Sequence, residues 1–232
     1  MSQRCKVSVV MPVWREAAGI EATLRLLQPL RAEGHELIVV DGGSDDDTAA
    51  LAQRWCDRLL IAEPGRARQM NAGAKVACGE VLLFLHADTC LPDGALTQAA
   101  AVAAGQQVWG RFDVRLSGQR PLFRVIALLM NLRSRLTAIA TGDQALFVRR
   151  SVFEALGGYA EIPLMEDVEL SRRLRLASRP RCVRPPVITD SRRWEQQGAW
   201  RTILLMWRLR WRYWRGESPE SLARAYRSDV RH

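Results

Sequence analysis

The 232-residue chain has 48% hydrophobic and 25% charged residues, a balance that is typical of a globular protein and excludes a disordered one. Arginines interrupt every apolar run before it reaches the ~18–20 residues that a membrane-spanning helix needs. The formal net charge is +9, and residues 192–232 carry ten Arg and four acidic residues, a net of +6. The basic character therefore belongs to the C-terminal end, and the rest of the chain is close to neutral.

The five cysteines are odd in number and have no Cys-x-x-Cys spacing, which argues against a disulfide framework and against a structural zinc site. A reducing, cytoplasmic compartment is expected. Residues 7–13 imitate a short signal peptide after two basic residues, but the run contains Pro12 and lacks a small-residue cleavage site. A first strand is the better interpretation.

Apolar runs in the first ninety residues predict four strands, at 6–13, 36–40, 58–62 and 81–85. Strands that alternate with helices of ten or more residues indicate βαβ units, hence an α/β fold with a mostly parallel sheet and helices on both faces. No Gly-x-Gly-x-x-Gly follows the first strand, so the motif of a dinucleotide fold is absent. The intervening helices are predicted at 16–33, at about 44–54 and from 64 onward.

Two of these strands end in acidic residues. The run 81–85 stops at His86 and Asp88, and the run 36–40 stops at Asp41. Open α/β sheets bind their ligands at the carboxyl ends of the strands, so two acidic strand ends suggest one site. Each Asp alone is weak evidence, because Asp is also a common loop residue and helix N-cap.

The second half of the chain mixes helices and strands and ends in a long amphipathic helix. One glycine and three polar residues at 141–144 break the pattern, and acidic residues follow Pro163, as expected in the first turn of a helix. The predicted elements are helices at 92–104, 122–138, a helix end at 154–159, a helix from about 163, and a helix at 199–215, with strands at 108–116 and 145–148.

Five short motifs, taken in their order along the chain, resemble those of the family-2 nucleotide-sugar glycosyltransferases, which have the GT-A fold. Each is loose alone, and the order of all five makes the resemblance specific. The chain resembles small single-domain bacterial members of the family, including an arsenosugar-type subgroup associated with radical-SAM and selenium genes. The motifs are VMPVWRE at 10–16, VVDGGSDDDT at 39–48, GRARQMNAG at 65–73, LFLHAD at 83–88 and MEDVEL at 165–170.

The resemblance implies a GT-A domain over residues 1–191 and a basic, helical tail over 192–232. Within the domain, a Rossmann-like nucleotide-binding half at about 1–92 would precede an acceptor half at about 93–191. The implied activity is inverting transfer of a sugar from a nucleoside diphosphate donor, expected to be UDP-linked, to an acceptor hydroxyl that the sequence does not name.

The family places a metal-binding Asp-x-Asp at the end of the fourth strand, where this chain has His86 and Asp88. A divalent cation, Mn²⁺ or Mg²⁺, would bridge the donor phosphates and needs a hard oxygen ligand, which Asp88 supplies. His86 suits Mn²⁺ and is a poor ligand for Mg²⁺. The alternative for His86 is a hydrogen-bonded loop residue, so the need for metal stays open.

By the same resemblance, the donor nucleotide would be bound by residues of the first half and by one arginine of the tail. Asp41 would accept a hydrogen bond from the base, and the alternative for Asp41 is a turn carboxylate. One of the two arginines at the start of the third helix is expected to be solvated, with Arg66 favoured as the contact. The donor-binding residues are Pro12, Glu16, Asp41, Arg66, Arg68, Asp88 and Arg193.

Asp167 is implied as the general base that deprotonates the acceptor hydroxyl, with Glu166 orienting it. The alternative is that both acids only interact with the helix dipole. The resemblance also implies that Gly142, Asp143 and Gln144 form a loop around the donor sugar or the acceptor, although Asp143 could equally be a turn residue.

In the tail helix at 199–215, tryptophans recur at spacings of three and four with arginines between them. This pattern suits peripheral contact with an anionic membrane, on the inner face, or a homodimer interface, and nucleic-acid binding is not expected. A membrane-bound polyprenyl-phosphate glycosyl synthase is the enzymatic alternative. A non-catalytic nucleotide-sugar-binding or scaffold protein is the other.

Overall fold

The computed structural model describes residues 6–230, apart from the side chains of Arg193, Asp229 and Val230. Its strands join in one eight-stranded sheet, in the order β3-β2-β1-β4-β7-β6-β8-β5. The strands are β1 (Val7–Val13), β2 (Glu36–Asp41), β3 (Arg58–Ile61), β4 (Val81–Phe84), β5 (Thr89–Cys90), β6 (Trp109–Leu116), β7 (Phe147–Arg149) and β8 (Arg181–Thr189).

Helices of the described chain cover the sheet and continue into the tail. A 3₁₀ turn at Gly142–Gln144 precedes β7. The helices are α1 (Ile20–Leu26), α2 (Gln28–Ala32), α3 (Thr48–Gln53), α4 (Arg66–Val76), α5 (Ala95–Ala100), α6 (Pro121–Thr137), α7 (Arg150–Ala155), α8 (Glu166–Ala177), α9 (Arg192–Gln197), α10 (Ala199–Trp214) and α11 (Pro219–Val230).

The first four strands are parallel to one another, and the rest of the sheet is mixed. Strand β1 lies between β2 and β4, and β2 pairs with β3, all in parallel. Strand β7 runs antiparallel to both β4 and β6, whereas β6 and β8 are parallel. The expected α/β class with a mostly parallel central sheet is confirmed.

Apolar side chains fill both faces of the parallel strands. Alternate residues of a strand point to opposite faces, so Val9 and Met11 pack into one cluster while Val10 packs into the other. Neighbouring strands divide in the same way, with Val39 on the first face and Val40 on the second. Burial on both faces explains why these strands have continuous apolar runs.

Several predicted helix and strand boundaries are wrong. The helix expected at 16–33 is divided into α1 and α2, because Pro29 has no backbone N–H for a continuous helix and lies instead in the first turn of α2. The helix expected at 92–104 is the shorter Ala95–Ala100, and the strand expected at 145–148 is Phe147–Arg149. Strand β8 and helix α11 have no counterpart among the sequence predictions.

The C-terminal helices pack against the rest of the chain through two apolar clusters. Leu205 and Leu209 of α10 pack with Leu222 of α11 and with Met165, the residue before α8. Ile203 and Trp194 pack against Phe123 in the first turn of α6. Across the part of the chain that the structure describes, no helix is long and apolar enough to cross a bilayer.

Candidate functional site

The carboxyl end of β2 carries a buried carboxylate with spare hydrogen-bonding capacity. Asp41 is fully buried, and its Oδ1 accepts a 2.6 Å hydrogen bond from the backbone N–H of Ser44. Its Oδ2 is buried and has no hydrogen-bond partner among the described residues. A buried acceptor is costly when it is unsatisfied, so Asp41 is suited to an N–H donor of a ligand at this edge.

Gln69 holds the ends of β1 and β2 together beside Asp41. From α4, its amide donates 2.8 Å hydrogen bonds to the carbonyl oxygens of Val13 and Val40. Pro12 lies one residue before Val13 in β1 and is partly buried. Gln69 was not among the predicted site residues, and only its place in the GRARQMNAG motif could have indicated it.

Glu16 follows β1 and lies close to Asp88. Its backbone N–H donates to Thr48 Oγ1 at 2.8 Å, which fixes the start of α1 against α3. Burial raises the pKa of Glu16, the negative charge of Asp88 raises it further, and Arg192 lowers it. Asp88 and Arg192 are therefore close enough to Glu16 to act on its ionisation.

The segment after β8 is attached to the end of β4. The Asp190 backbone N–H donates to the Asp88 carbonyl oxygen at 3.0 Å, and Thr89 of β5 pairs with Thr189 of β8. Arg192 then forms a 3.2 Å ion pair with Asp190, while the carboxylate of Asp88 remains exposed. The predicted role of the Arg193 side chain lies outside the described part of the structure.

His86 packs directly against Gly142. A Cβ added at Gly142 would lie 2.4 Å from His86 Cε1, so only glycine fits without displacing the imidazole. His86 Nδ1 is 4.0 Å from Asp143 Oδ1. Burial and the charge of Arg66 lower the pKa of His86. The ring is thus disposed to be neutral, the form in which histidine binds metals.

Asp167, in the first turn of α8, is held to the same loop. Its Oδ2 accepts a 2.9 Å hydrogen bond from the Gly142 N–H, and its Oδ1 accepts one of 2.7 Å from the Val168 N–H. Burial raises the pKa of Asp167, although these two N–H groups lower it. The non-glycine residue Met165 has a left-handed φ of +71° just before α8, a conformation that is uncommon away from functional sites.

Glu166 is buried beside Asp167. Burial and the neighbouring charge of Asp167 raise the pKa of Glu166 to about 7. A small cavity lies in front of these acids, between α8 and the end of β4. It is lined by Met70, Phe84, His86, Gly142, Leu146, Tyr159, Glu166 and Asp167.

The two arginines of α4 have different surroundings. Arg68 forms a 2.7 Å ion pair with Glu63 and lies 3.5 Å from Glu161. Arg66 is accessible to solvent. Desolvation by the surrounding protein lowers its pKa, but the negative charges of Glu166 and other acids of the cleft raise it more, so the net pKa of Arg66 is raised. Arg66 is therefore the arginine of this pair that faces the cleft.

Arg133 of α6 is a second cation near the base, and it was not predicted as a site residue. Its Nε and Nη2 are buried and have no hydrogen-bond partner among the described residues. Burial lowers the pKa of Arg133, and the charges of Asp167 and Asp143 raise it. Its neighbour Asn131 holds α6 to β6 by two hydrogen bonds with Val114. A buried arginine on an amphipathic helix gives no distinctive sequence signal.

The donor set at the end of β4 is one exposed carboxylate and one imidazole. In the ranges that the structure describes, no group of three or more His, Cys, Asp or Glu side chains is arranged to hold a metal ion. Asp88 and His86 could contribute two ligands to a cation that takes its others from a bound diphosphate and water. This mixed oxygen and nitrogen set fits Mn²⁺ better than Mg²⁺.

A larger cavity of about 810 Å³ lies away from these strand ends. It is formed by the ends of α6 and α8 and the start of β8, and its lining includes Arg135, Arg175, Arg179, Arg181 and Arg184. Size alone would favour this cavity as the active site. The perturbed acids and the carboxylate with a spare acceptor are at the strand ends instead, so the candidate site is there.

A mostly parallel sheet with carboxylates gathered at the carboxyl ends of its strands is typical of α/β enzymes that bind a nucleotide there. The chain belongs to glycosyltransferase family 2, because the family model described as Glycosyl transferase family 2 matches residues 8–157. The expectation of a family-2 glycosyltransferase is therefore confirmed.

Curated relatives have corresponding names. An uncharacterized glycosyltransferase of Mycobacterium tuberculosis strain H37Rv is 32% identical over 200 residues, which cover 79% of this chain and 75% of the relative. The probable glycosyltransferase YdaM of Bacillus subtilis is 28% identical over 245 residues, with 93% of this chain and 56% of the relative covered. The matches span from 30% to 75% of the length of the relatives compared.

Solved structures share the fold. The mannosyltransferase PcManGT from Pyrobaculum calidifontis, in complex with GDP-Man and Mn²⁺, has a TM-score of 0.62 at 23% identity, covering 82% of this chain and 57% of that one. S. aureus TarS 1–349 in complex with UDP-GlcNAc has a TM-score of 0.63 at 18% identity, covering 80% and 58%. These neighbours are GT-A glycosyltransferases, so the expected GT-A fold is confirmed.

Proposed function

We propose that the chain transfers a sugar from a UDP-linked donor to an acceptor hydroxyl, with inversion at the anomeric carbon and with help from a divalent cation. The observation that carries this proposal is the contact of His86, at the end of β4, with Gly142, whose N–H is hydrogen-bonded to Asp167. This contact joins the donor side of the cleft to the base side. Inverting transfer needs that arrangement, because the base acts opposite the leaving diphosphate.

The donor base would bind at Asp41, with Pro12 and Glu16 beside it. The partnerless Oδ2 of Asp41 supports this role, because uracil carries an N–H that a carboxylate can accept. Guanine carries one too, and the solved relatives bind UDP-GlcNAc or GDP-Man, so the choice of UDP rests on the resemblance. Arg66 would face the donor phosphates, while Arg68 belongs to the surface pair with Glu63.

A bound Mn²⁺ would neutralise the charge that develops on the leaving diphosphate. Asp88 and His86 would hold it, and the exposure of Asp88 and the neutral imidazole of His86 support that assignment. Two solved neighbours are in complex with Mn²⁺, which supports a divalent cation but does not bear on which residues hold it.

Asp167 would act as the general base. Its two backbone hydrogen bonds fix the carboxylate while each oxygen keeps a lone pair for the acceptor proton. Glu166 would remain protonated below about pH 7, which limits the negative charge beside the base. Asp143 and Arg133 flank Asp167 and would contact the acceptor or the sugar, with Gly142 and Gln144 shaping their loop.

Donor binding and its metal dependence test the donor half of the proposal. A thermal-shift screen of nucleoside diphosphates, with and without Mn²⁺, should select UDP, because ligands of the native state raise the melting temperature. Calorimetry should then show UDP binding that Mn²⁺ strengthens in the wild type and not in Asp88→Ala. Glu80→Ala, at the opposite end of β4, is the matched control and should bind like the wild type.

If Mn²⁺ had the same effect on UDP binding in Asp88→Ala as in the wild type, the role of Asp88 would be wrong. If no nucleotide bound at all, the proposal of a nucleotide-linked donor would be wrong as well. The arsenosugar-type subgroup, the division at residue 191 and the polyprenyl-phosphate alternative remain predictions.

A further inference from the structure

One face of α10 exposes large apolar side chains. Five of them recur at spacings of three and four residues, with 55–79% of their surface exposed. The opposite face holds Leu205 and Leu209, which are buried against α11 and Met165. The exposed residues are Trp200, Leu204, Trp207, Trp211 and Trp214.

Helix α6 has an exposed apolar face of its own, with five aliphatic side chains that are 48–77% exposed. The first turn of α6 and the start of α10 share one apolar cluster, in which Phe123 packs with Ala199 and Ile203. We call the ten exposed side chains of the two helices the α6–α10 apolar face. Its α6 residues are Val125, Leu128, Leu129, Leu132 and Leu136.

This face is exceptional on the described surface. Of the fourteen large apolar residues that are exposed there, ten belong to it. Scattered single apolar residues are normal on a protein surface, but a group of this kind indicates an interaction site. Four of the ten are tryptophans, a residue that favours boundaries between water and an apolar phase.

The charge around this face has one sign. Helices α6 and α10 contain no acidic residue. Of their seven arginines, Arg133 lies near Asp167, and Arg135 and Arg212 are paired with Asp113 and Glu217, which leaves four for the surface. Arg215, just after α10, stacks on the exposed ring of Trp211 at 4.9 Å from its centroid. Arg124, Arg201 and Arg208 are exposed. The complementary surface must therefore be apolar and negatively charged.

We propose that the α6–α10 apolar face binds the surface of a lipid bilayer that contains anionic lipids, with α10 lying in the plane of the interface. Its tryptophans would enter the headgroup region while the arginines meet lipid phosphates. A second copy of the chain fits less well, because a two-fold interface would bring the same basic surface against itself. This inference does not depend on the proposed sugar transfer.

Co-sedimentation of the full chain with vesicles tests the proposal. We expect binding to vesicles of phosphatidylcholine with phosphatidylglycerol, weaker binding to phosphatidylcholine alone, and loss of binding when NaCl is raised from about 0.1 M to about 0.5 M. The double variant Trp207→Ser/Trp211→Ser should bind at least about ten-fold more weakly, because two aromatic side chains that would enter the bilayer interface are lost.

The matched control is Leu26→Ser/Ile61→Ser, which removes two side chains that are each 66% exposed on α1 and β3. It should bind vesicles like the wild type. Circular dichroism should show both double variants folded, since all four positions are exposed.

Light scattering measures the mass of the free protein and so tests whether a second copy of the chain covers the α6–α10 apolar face. A dimer that dissociates in the tryptophan variant, together with no vesicle binding by the wild type, would overturn the proposal in favour of self-association. Equal binding of wild type and tryptophan variant to anionic vesicles would also overturn it, as would equal binding to both lipid mixtures.

Discussion

The two sides of the cleft are built in different ways. On the donor side, Asp41 and Asp88 follow the ends of parallel strands, so strand pairing brings them to one edge. On the base side, Asp167 begins a helix and is positioned by the N–H of Gly142, from a loop 25 residues earlier in the chain. The left-handed Met165 before it packs under the C-terminal helices.

The interiors of the two sides also differ. The strands of the donor side are surrounded by apolar side chains, with Glu36 as a buried acid at the start of β2. The base side contains a buried ion pair between Asp113 of β6 and Arg111, and Asp113 also contacts the more exposed Arg135 and Arg184. The donor side can therefore be inferred from local sequence patterns, whereas the base side depends on contacts between distant segments.

The comparison predicts that binding and chemistry can be separated by mutation. Asp167→Asn should retain UDP binding and reduce turnover about 1000-fold, because it removes a group that acts in the transition state. Asp41→Asn should instead weaken nucleotide binding more than it reduces the turnover of bound donor. Turnover is measured as nucleoside diphosphate release from the donor that the thermal-shift screen selects, and binding is measured by calorimetry.

Glu169→Gln is the matched control for this experiment. Glu169 lies in the same turn of α8 but is paired with Arg173, so its loss alters the helix start without altering the cleft. Its turnover should stay within a few-fold of the wild type. Equal losses in Asp167→Asn and Glu169→Gln would mean that Asp167 only supports the helix.

Sequence patterns were sufficient for the donor side. Apolar runs ending in Asp41 and His86 predicted both the strands and the edge at which they meet. The ends of α1 and α2 were predicted wrongly because Pro29 interrupts a pattern whose apolar spacing continues through it. Local spacing reports the buried face of a helix better than its ends.

The base side was predicted only through the family motifs. Strand β8 contains two consecutive prolines and two separate arginines, which is a poor strand pattern. It forms because it pairs in parallel with β6. The approach of Gly142 to Asp167 joins segments that are 25 residues apart. Arg133 shows the same limit, since only the fold reveals that it lies near the base.

Buried acids offer a second way to test the comparison. Asp113→Ala should lower the free energy of unfolding by about 3–5 kcal/mol, because the fully buried Arg111 would lose its carboxylate partner. Glu36→Gln on the donor side should cost less, about 1–3 kcal/mol, because Gln can still accept the hydrogen bonds of Ser8 and Cys78. Urea denaturation measures both values. An equal or larger loss in Glu36→Gln would contradict the difference between the two sides.

The buried acids should also give a pH dependence of stability of opposite sign on the two sides. Hydrogen bonds from Ser8 and Cys78 lower the pKa of Glu36 despite the opposing effect of burial, so its stabilising contribution is complete above the ordinary carboxyl pKa and is lost in acid. Burial and Asp167 raise the pKa of Glu166 to about 7. Below the ordinary carboxyl pKa, Glu166 is protonated in both the folded and the unfolded chain, so it does not change the free energy of unfolding.

Between that value and about pH 7 the unfolded chain releases the proton of Glu166 while the folded chain retains it, so stability falls as pH rises. From about pH 5 to about pH 8, Glu166 should therefore lower the free energy of unfolding by roughly 2–3 kcal/mol. Glu166→Gln should remove that loss, whereas Glu36→Gln should leave it unchanged, because both pKa values of Glu36 lie below this range. Urea denaturation of the three proteins at the two pH values measures the difference. An unchanged pH dependence in Glu166→Gln would mean that Glu166 is ionised in the folded chain, and the base would then act beside a second negative charge.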